Sequence, residues 1–226
     1  MGMRSRFFDE FFLDAAASGI RQAVILAAGL DARAHRLPWP AGVTVYELDQ
    51  PEVLAFKDRV YAEQGAAPTS DRRAVAVDLR DDWPAALKEA GFDPSQPTAW
   101  SAEGLLPYLP AVAQELLFER IVELSAPGSR AAIEGPTGVL GVSQFAKVEQ
   151  KYRSEKDTFG KIDITELFYD EEKTPPVEWF STRGWNTLGV DMFDLAERYG
   201  VQYPEVPEDI RELAGSMHYL TCTLPA

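Results

Sequence analysis

The sequence predicts an α/β protein with a doubly wound, mostly parallel sheet of seven strands and helices on both faces. Five short apolar segments alternate with helical patterns in the first 135 residues, and two further strand patterns follow near the carboxyl terminus. Such alternation is typical of right-handed βαβ crossovers. The first apolar segment, 23–28, contains no polar residue, as expected of a strand buried on both faces of a parallel sheet.

An amphipathic helix is predicted at the amino terminus, ending near Ser18. Its apolar stripe consists of four phenylalanines at helical spacing, Phe7, Phe8, Phe11 and Phe12. We expect this stripe to pack on the sheet, or to drive association into a homo-oligomer if it is left uncovered. The later elements are predicted as strands 23–28, 43–48, 74–77, 98–102, 130–133, 185–190 and 219–224, and as helices 51–64, 83–90, 110–124 and 191–199.

The alternation of strands and helices stops after Glu134. We interpret residues 136–180 as a helical insertion or cap on a single domain, 1–226. Aromatic side chains in this segment are candidates to wall an apolar substrate pocket, although packing of the cap against the sheet is the simpler explanation. They are Phe145, Tyr152, Phe159, Phe168 and Tyr169.

The composition excludes several classes of protein. Lys and Arg number 22 against 36 Asp and Glu, and the net charge of −14 opposes a nucleic-acid partner. The single cysteine, Cys222, allows no disulfide within the chain and fits a reducing compartment. No apolar run approaches the roughly 18 residues of a membrane span, so we expect a soluble, cytoplasmic protein with no membrane partner. The two histidines have no metal-ligand spacing and no serine lies in a Gly-x-Ser-x-Gly elbow, so neither a metal site nor serine hydrolysis is expected.

Each of the first five predicted strands is followed by a glycine or an acid. These residues are Gly29 with Asp31, Glu47 with Asp49, Asp78, Glu103 and Glu134. Ligands of open α/β sheets bind outside the carboxyl ends of the strands, so these side chains are expected to border one crevice. An acid after the second strand suits the two ribose hydroxyls of a nucleoside, and a polar residue after the third strand suits its base.

The glycine signature of dinucleotide sites is incomplete in this chain. Gly-x-Gly-x-x-Gly lets a helix N-terminus receive a pyrophosphate, whereas residues 27–31 contain one glycine and an added acid, Asp31. This carboxylate repels a diphosphate and favours a cationic ligand such as S-adenosyl-L-methionine, which carries an ammonium and a sulfonium group. A nicotinamide-dependent oxidoreductase is the less favoured alternative.

A set of short segments in a fixed order carries a family resemblance. Residues 24–37 read VILAAGLDARAHRL, which resembles the motif LGAGLDTRxxRL, and further matches lie at 4–9, 46–51, 77–83, 102–109 and 184–185. Together they resemble the leucine carboxyl methyltransferase-like superfamily, and within it the S-adenosyl-L-methionine-dependent branch of mycobacteria and other actinobacteria. The resemblance implies a class I methyltransferase with a Rossmann-like sheet and S-adenosyl-L-methionine as cofactor.

At the methionine end of the cofactor, the resemblance implies three contacts. Arg4 or Arg6 would pair with the carboxylate, a task that suits a guanidinium. Gly29 would lie under the methionine portion, and Asp31 would face its positive charge.

At the nucleoside end, the resemblance assigns residues that follow the second and third strands. Asp49 would hold the ribose hydroxyls with Gln50 beside it. Asp78 and the backbone N–H of Leu79 would read the edge of the adenine.

The implied activity is O-methylation, at a carboxyl or hydroxyl group, of a small molecule or a peptide carboxylate. Glu103, after the fourth strand, would lie near the cofactor's amino or sulfonium end and the line of methyl transfer. Glu103 and Tyr108 are the catalytic candidates, because a hydroxyl acceptor needs a base and a carboxylate acceptor does not.

The sequence departs from the family pattern in two places. Ala27 stands where the first motif has a glycine, and family members usually carry several tens of residues before the Arg-x-Arg segment, so the chain resembles a truncated or late-start form. These departures motivate the alternative of a cofactor-binding protein without catalysis. Nearby, we expect Arg33, His35 and Arg36 to face solvent rather than to grip an acidic substrate.

Overall fold

The computed structural model describes residues 2–136, 148, 151 and 167–226. These residues form a seven-stranded sheet whose strands are β1 (Gln22–Leu26), β2 (Thr44–Asp49), β3 (Asp71–Ala76), β4 (Thr98–Ala102), β5 (Arg130–Pro136), β6 (Asn186–Asp191) and β7 (Met217–Thr223). The strand order is β3-β2-β1-β4-β5-β7-β6. Strands β1 to β5 pair in parallel, and β7 lies antiparallel between β5 and β6. The predicted α/β architecture is confirmed.

Eight described helices connect and cover these strands. They are α1 (Gly2–Ala17), α2 (Arg33–Arg36), α3 (Pro51–Gln64), α4 (Trp83–Glu89), α5 (Ala111–Glu123), α6 (Pro176–Ser181), α7 (Met192–Arg198) and α8 (Glu208–Ser216), with a 3₁₀ turn at Leu106–Tyr108. Two hydrophobic cores result, one on each face of the sheet. No described helix is long and apolar enough to cross a membrane.

Strand β1 lies at the centre of the sheet, hydrogen-bonded to β2 on one side and to β4 on the other. All five of its residues are buried, which explains why residues 23–26 are all apolar, while the buried Gln22 side chain is hydrogen-bonded to Asp93 and Thr98. It ends two residues earlier than predicted because Ala27 has a φ of +51°, in the left-handed region, and extended pairing cannot continue through that conformation.

The edge strand β3 shows where hydrophobicity alone misplaces a boundary. It begins at Asp71, three residues before the predicted start. Its first three residues are charged, so the hydrophobic pattern did not include them, but they pair with β2. An edge strand tolerates such residues, since part of its surface faces solvent. Strand β5 likewise extends beyond its predicted end to Pro136, because β7 pairs with it over seven residues.

Helix α1 packs its phenylalanine stripe on the sheet, as expected. All four rings are buried. Phe7 lies 5.4 Å from the ring of Tyr219 on β7, and Phe12 lies 5.6 Å from Trp39. These contacts attach α1 to the face that also receives α2 and α7.

The predicted cap at 136–180 falls mostly outside the described residues, as do Phe145, Tyr152 and Phe159. The described part of this segment, from residue 167 onward, packs beside the 3₁₀ turn. The N–H of Tyr169 donates to the carbonyl of Pro107 (3.1 Å), and Lys173 Nζ donates to the carbonyl of Leu106 (3.0 Å). Beyond α6, the chain forms β6 and α7, and Asp191 caps α7 by accepting from the N–H groups of Phe193 and Asp194.

Candidate functional site

The ends of β1 and β2 meet at Gly29 and Asp49. The Gly29 N–H donates to Asp49 Oδ2 (2.6 Å), and the Gln50 N–H donates to Asp49 Oδ1 (2.7 Å). Gly29 has a φ of +50°, and a Cβ built on it would have no neighbour closer than the Ala27 carbonyl at 4.0 Å. The structure therefore leaves open space above this glycine, bordered by a carboxylate whose orientation is fixed.

The end of β3 joins the same edge through Gln50 and Asp78. Gln50 Nε2 donates to Asp78 Oδ2 (3.3 Å), while Arg80 donates to Asp78 from its backbone N–H, Nε and Nη2 at 2.6–2.9 Å. These hydrogen bonds lower the pKa of Asp78 to about 2. Leu79 packs partly buried against the core below, so its side chain helps to anchor this turn.

An ionic cluster lies at the ends of β1, β4 and β5. We define it as the six side chains of Arg4, Asp9, Asp31, Arg33, Glu103 and Glu134, whose charged groups contact one another in a connected chain. Arg36 also pairs with Asp9 from the exposed side, so three guanidinium groups face four carboxyl groups. The excess of carboxyl groups favours a positively charged ligand at this edge.

Arg33 is the centre of the ionic cluster. Only 3% of the residue is exposed. It donates to Asp9 Oδ1 and to Glu103 Oε2, both at 2.8 Å, and also to Asp31. Burial acts to lower the pKa of Arg33, but the charges of Asp31 and Glu103 outweigh it and raise the pKa. The expectation that Arg33 faces solvent is therefore wrong, because the ends of three elements enclose it.

His35 and Arg36, which were predicted with Arg33 to face solvent, are more exposed than Arg33. Arg36 is exposed and pairs with Asp9. His35 is half-buried and stacks on Tyr61 with the ring centres 3.7 Å apart. Burial lowers the pKa of His35.

Arg4 lies across the end of β4. Its Nε donates to Glu103 Oε1 (2.7 Å) and its Nη2 lies 3.1 Å from Glu134 Oε2. A Cβ on Gly104 would approach Arg4 Nη2 to 2.5 Å, so the glycine makes room for the guanidinium. Glu134 also accepts the Gly104 N–H (2.8 Å), and burial raises the pKa of this carboxyl group despite the nearby Arg4.

Two predicted site residues lie apart from these contacts. Arg6 donates to Glu10 (2.8 Å) and its guanidinium lies 4.1 Å from the ring centre of Tyr199. Tyr108 is 44% exposed and its ring makes a T-shaped contact with Phe168, so it is a surface side chain.

Asp9 and Arg33, two members of the ionic cluster, were not among the site residues predicted from the sequence. Glu134 was predicted to border the crevice because it ends a strand as the other acids do, but no ligand contact was predicted for it. Within the described ranges, no group of three or more His, Cys, Asp or Glu side chains has the arrangement of a metal site.

The strand order and the acid at the end of β2 define the class as a class I methyltransferase fold. Solved structures share it. A methyltransferase crystal structure from Thermobifida fusca YX is similar with a TM-score of 0.62 at 18% identity, covering 99% of this chain and 81% of that one. Magnesium protoporphyrin IX methyltransferase from Synechocystis PCC 6803 is similar with a TM-score of 0.56 at 10% identity, covering 100% and 84%. At sequence identities this low, the similarity shows that these proteins share the fold and nothing further.

The chain belongs to the leucine carboxyl methyltransferase family, whose profile matches residues 1–122. A Mycobacteroides abscessus protein is 90% identical over 226 residues, which is all of this chain and 73% of that protein. A Rhodococcus jostii RHA1 protein is 54% identical over 221 residues, covering 98% and 75%. Both are named as S-adenosyl-L-methionine-dependent methyltransferases. The predicted family, enzyme class and cofactor are confirmed, and neither relative is named as an oxidoreductase.

Proposed function

We propose that this chain transfers a methyl group from S-adenosyl-L-methionine to an oxygen atom, in a carboxyl or hydroxyl group, of a small molecule or a peptide. The observation that carries the proposal is the open crevice at Gly29, bordered by the fixed carboxylate of Asp49. This glycine and acid lie at the ends of adjacent parallel strands, where α/β proteins bind nucleosides.

The residues present fit the nucleoside end of the cofactor. Each Asp49 oxygen accepts one backbone N–H, and a carboxylate oxygen has a second lone pair that can accept a ribose hydroxyl. Gln50 and Asp78 lie next along the edge, in hydrogen-bond contact with each other. We assign them, with the Leu79 N–H, to the side of the adenine.

The ionic cluster fits the methionine end. Asp31 and Glu103 supply negative charge toward an ammonium and a sulfonium, and Arg4 supplies a guanidinium for the carboxylate. Arg4 lies over Gly104 at the end of β4, whereas Arg6 is held by Glu10 on the exposed side of α1. Of the two arginines, we therefore assign the carboxylate contact to Arg4.

The chain's own residues mainly supply alignment and charge. When bound, S-adenosyl-L-methionine would supply a methyl group on a sulfonium sulfur, whose transfer to the acceptor oxygen would leave a neutral thioether. Arg4 and Arg33 hold the two oxygens of Glu103 in one orientation. Tyr108 lies in the loop that follows Glu103, and its exposed phenol can orient an acceptor by a hydrogen bond.

Two features support a carboxyl acceptor in particular. The family is named for carboxyl methylation. Both oxygens of Glu103 already accept hydrogen bonds from guanidinium groups, and a carboxylate acceptor needs no base.

We further infer that the protein acts in the cytoplasm and without a nucleic-acid partner. The net charge of −14 and the single buried cysteine, Cys222, support these assignments. Association into a homo-oligomer is tested by sedimentation, in which a mass above the 25.1 kDa of one chain would indicate association.

Isothermal calorimetry of the purified chain tests the cofactor assignment. We expect S-adenosyl-L-methionine and S-adenosylhomocysteine to bind and NADH not to bind. Asp49→Ala is expected to weaken both ligands by about 1–3 kcal/mol, the cost of removing a hydrogen-bonded charged partner. Glu63→Ala, an exposed carboxylate on α3, is the matched control and should bind as the original chain does.

An unchanged affinity in Asp49→Ala would contradict the assignment of the crevice. Catalysis is tested separately by incubating the protein and methyl-labelled cofactor with a panel of carboxylic acids and phenols. Labelled product soluble in organic solvent is expected. Cofactor binding without transfer to any acceptor would instead favour the non-catalytic alternative.

A further inference from the structure

A cavity of about 310 Å³ lies between α6 and strands β5, β6 and β7. Ile133, Val177 and Leu220 line it with apolar surface, Gly135 and Gly189 contribute bare backbone, and His218 contributes the imidazole. None of the site residues predicted from the sequence lines this cavity. The cavity has the character of a small-molecule site, which is mostly apolar with few polar groups.

The cavity lies at the same edge of the sheet as the proposed cofactor site. Gly135 directly follows Glu134, which belongs to the ionic cluster, at the end of β5. Since neighbouring residues of a strand point to opposite faces, the cavity lies on the α6 face of this strand end and the Glu134 carboxylate on the α1 face. A Cβ on Gly135 would lie 2.9 Å from Leu106 Cδ1, so the loop that carries Glu103 and Tyr108 packs against one of the residues that line the cavity.

The two glycines are not needed for the backbone conformation. Neither Gly135 nor Gly189 has a positive φ, although both lie within strands, where glycine weakens pairing and packing. A Cβ on Gly189 would lie 3.4 Å from His218 Nδ1. Glycine at position 189 therefore keeps space free beside the imidazole, whereas glycine at position 135 makes room for Leu106 and Pro176.

We propose that this cavity binds the apolar body of the methyl acceptor, an assignment that rests on the proposed function. A cavity of about 150 Å³ holds one benzene ring, so this cavity accommodates a ligand of about two fused rings or a chain of similar volume. His218 contacts an oxygen of the ligand. The acceptor class is thus an apolar carboxylic acid or phenol of about that size.

The test uses 2-naphthoate as a probe and the imidazole NMR signals as the readout. The chain contains two histidines, so each variant has an internal reference. We expect 2-naphthoate to shift the signals of His218 and to leave those of His35, which stacks on Tyr61, in place. The titration is repeated with saturating S-adenosylhomocysteine, which should not displace the probe.

Two variants fill the cavity from different sides. Gly189→Leu does so from the sheet and Val177→Phe from α6, so the second variant serves if the first does not fold. Each is expected to weaken 2-naphthoate at least tenfold and to leave the affinity for S-adenosylhomocysteine unchanged. Leu188→Met, an exposed change one residue away on the same strand, should bind as the original chain does.

The outcomes separate the two proposals. Any one of four results would overturn the cavity assignment while leaving cofactor binding intact. They are that 2-naphthoate does not bind, that S-adenosylhomocysteine displaces it, that the His218 signal does not move, or that both cavity variants bind 2-naphthoate as tightly as the original chain does. If 2-naphthoate binds at His218 but S-adenosylhomocysteine does not bind at all, the cavity is supported as a ligand site. Its role as acceptor site is then overturned together with the proposed function.

Discussion

Ala27 adopts a backbone conformation that a side chain makes unfavourable. Its φ of +51° lies in the left-handed region, where a Cβ crowds the following carbonyl at a cost of about 1–2 kcal/mol. The first motif of the related family has a glycine here, which pays no such steric cost. The sharp turn is retained because it carries the chain from β1 to Gly29 and the Asp49 carboxylate.

Ala27→Gly is therefore expected to stabilise the protein by about 1 kcal/mol, since the strain relieved exceeds the added flexibility of the unfolded chain. Urea unfolding measures the change. Ala28→Gly is the matched control, because Ala28 lacks a positive φ, and it should destabilise the protein. Destabilisation by both substitutions to a similar extent would contradict the assignment of strain to Ala27.

At the scale of single elements, α1 is held to the sheet by charge as well as by its phenylalanines. Asp9 on α1 pairs with Arg33 at 2.8 Å and with Arg36 at 2.6 Å. Arg4 on the same helix pairs with Glu103 at the end of β4. The helix thus brings an arginine of the candidate site into position, so its docking and the shape of the site are coupled.

Loss of Arg33 should disrupt this docking. Arg33→Met removes the buried cation that contacts three carboxylates, and the expected loss of stability is about 3–5 kcal/mol, as for other broken buried ion pairs. Arg36→Met removes an exposed partner of the same Asp9 and should cost about 1 kcal/mol or less. Urea unfolding of both variants decides the matter, and comparable losses would show that Arg33 acts as a surface charge.

The bounds of the predicted helices were closer to the structure than the bounds of the edge strands, although α8 (Glu208–Ser216) was not predicted. The predicted ranges 51–64 and 98–102 coincide with α3 and β4, because a proline begins the helix and the strand is uniformly buried. The start of β3 was missed, since charged residues at an exposed edge carry no hydrophobic signal. The pairing with β7 that extends β5 lies about 90 residues further along the chain, beyond the reach of a local pattern.

At the scale of the whole molecule, two tyrosines join the first helix to the last elements. Tyr219 on β7 packs against Phe7, and the Tyr199 hydroxyl beside α7 donates to Glu10 Oε2 (2.9 Å). Burial raises the pKa of both phenols to about 12, assisted at Tyr199 by the hydrogen bond to Glu10 and at Tyr219 by the charge of Glu134. The folded state therefore favours the protonated form of each.

This preference predicts a loss of stability in alkali. An unfolded tyrosine titrates near pH 10, so the stabilisation is complete below pH 10 and decreases as the pH rises toward 12, because the unfolded chain releases its protons first. Urea unfolding between pH 9 and pH 11 should show the decrease, and Tyr219→Phe should make it shallower. Tyr108→Phe, at an exposed position, is the control, and equal slopes in the two variants would count against this explanation.

The sequence by itself determined the order of strands and helices, the central buried strand, the burial of the phenylalanine stripe and the glycine and acids at the strand ends. Those properties depend on local periodicity and on the residues that end each strand. Tertiary structure alone decided that Arg33 is buried, because its partner Glu103 lies 70 residues away in the sequence. It also decided that Arg4 reaches Glu103 across 99 residues and that Gly135, Gly189 and His218 share one cavity. Such contacts depend on which strands become neighbours in the sheet and which faces they share, and local periodicity carries no information about either.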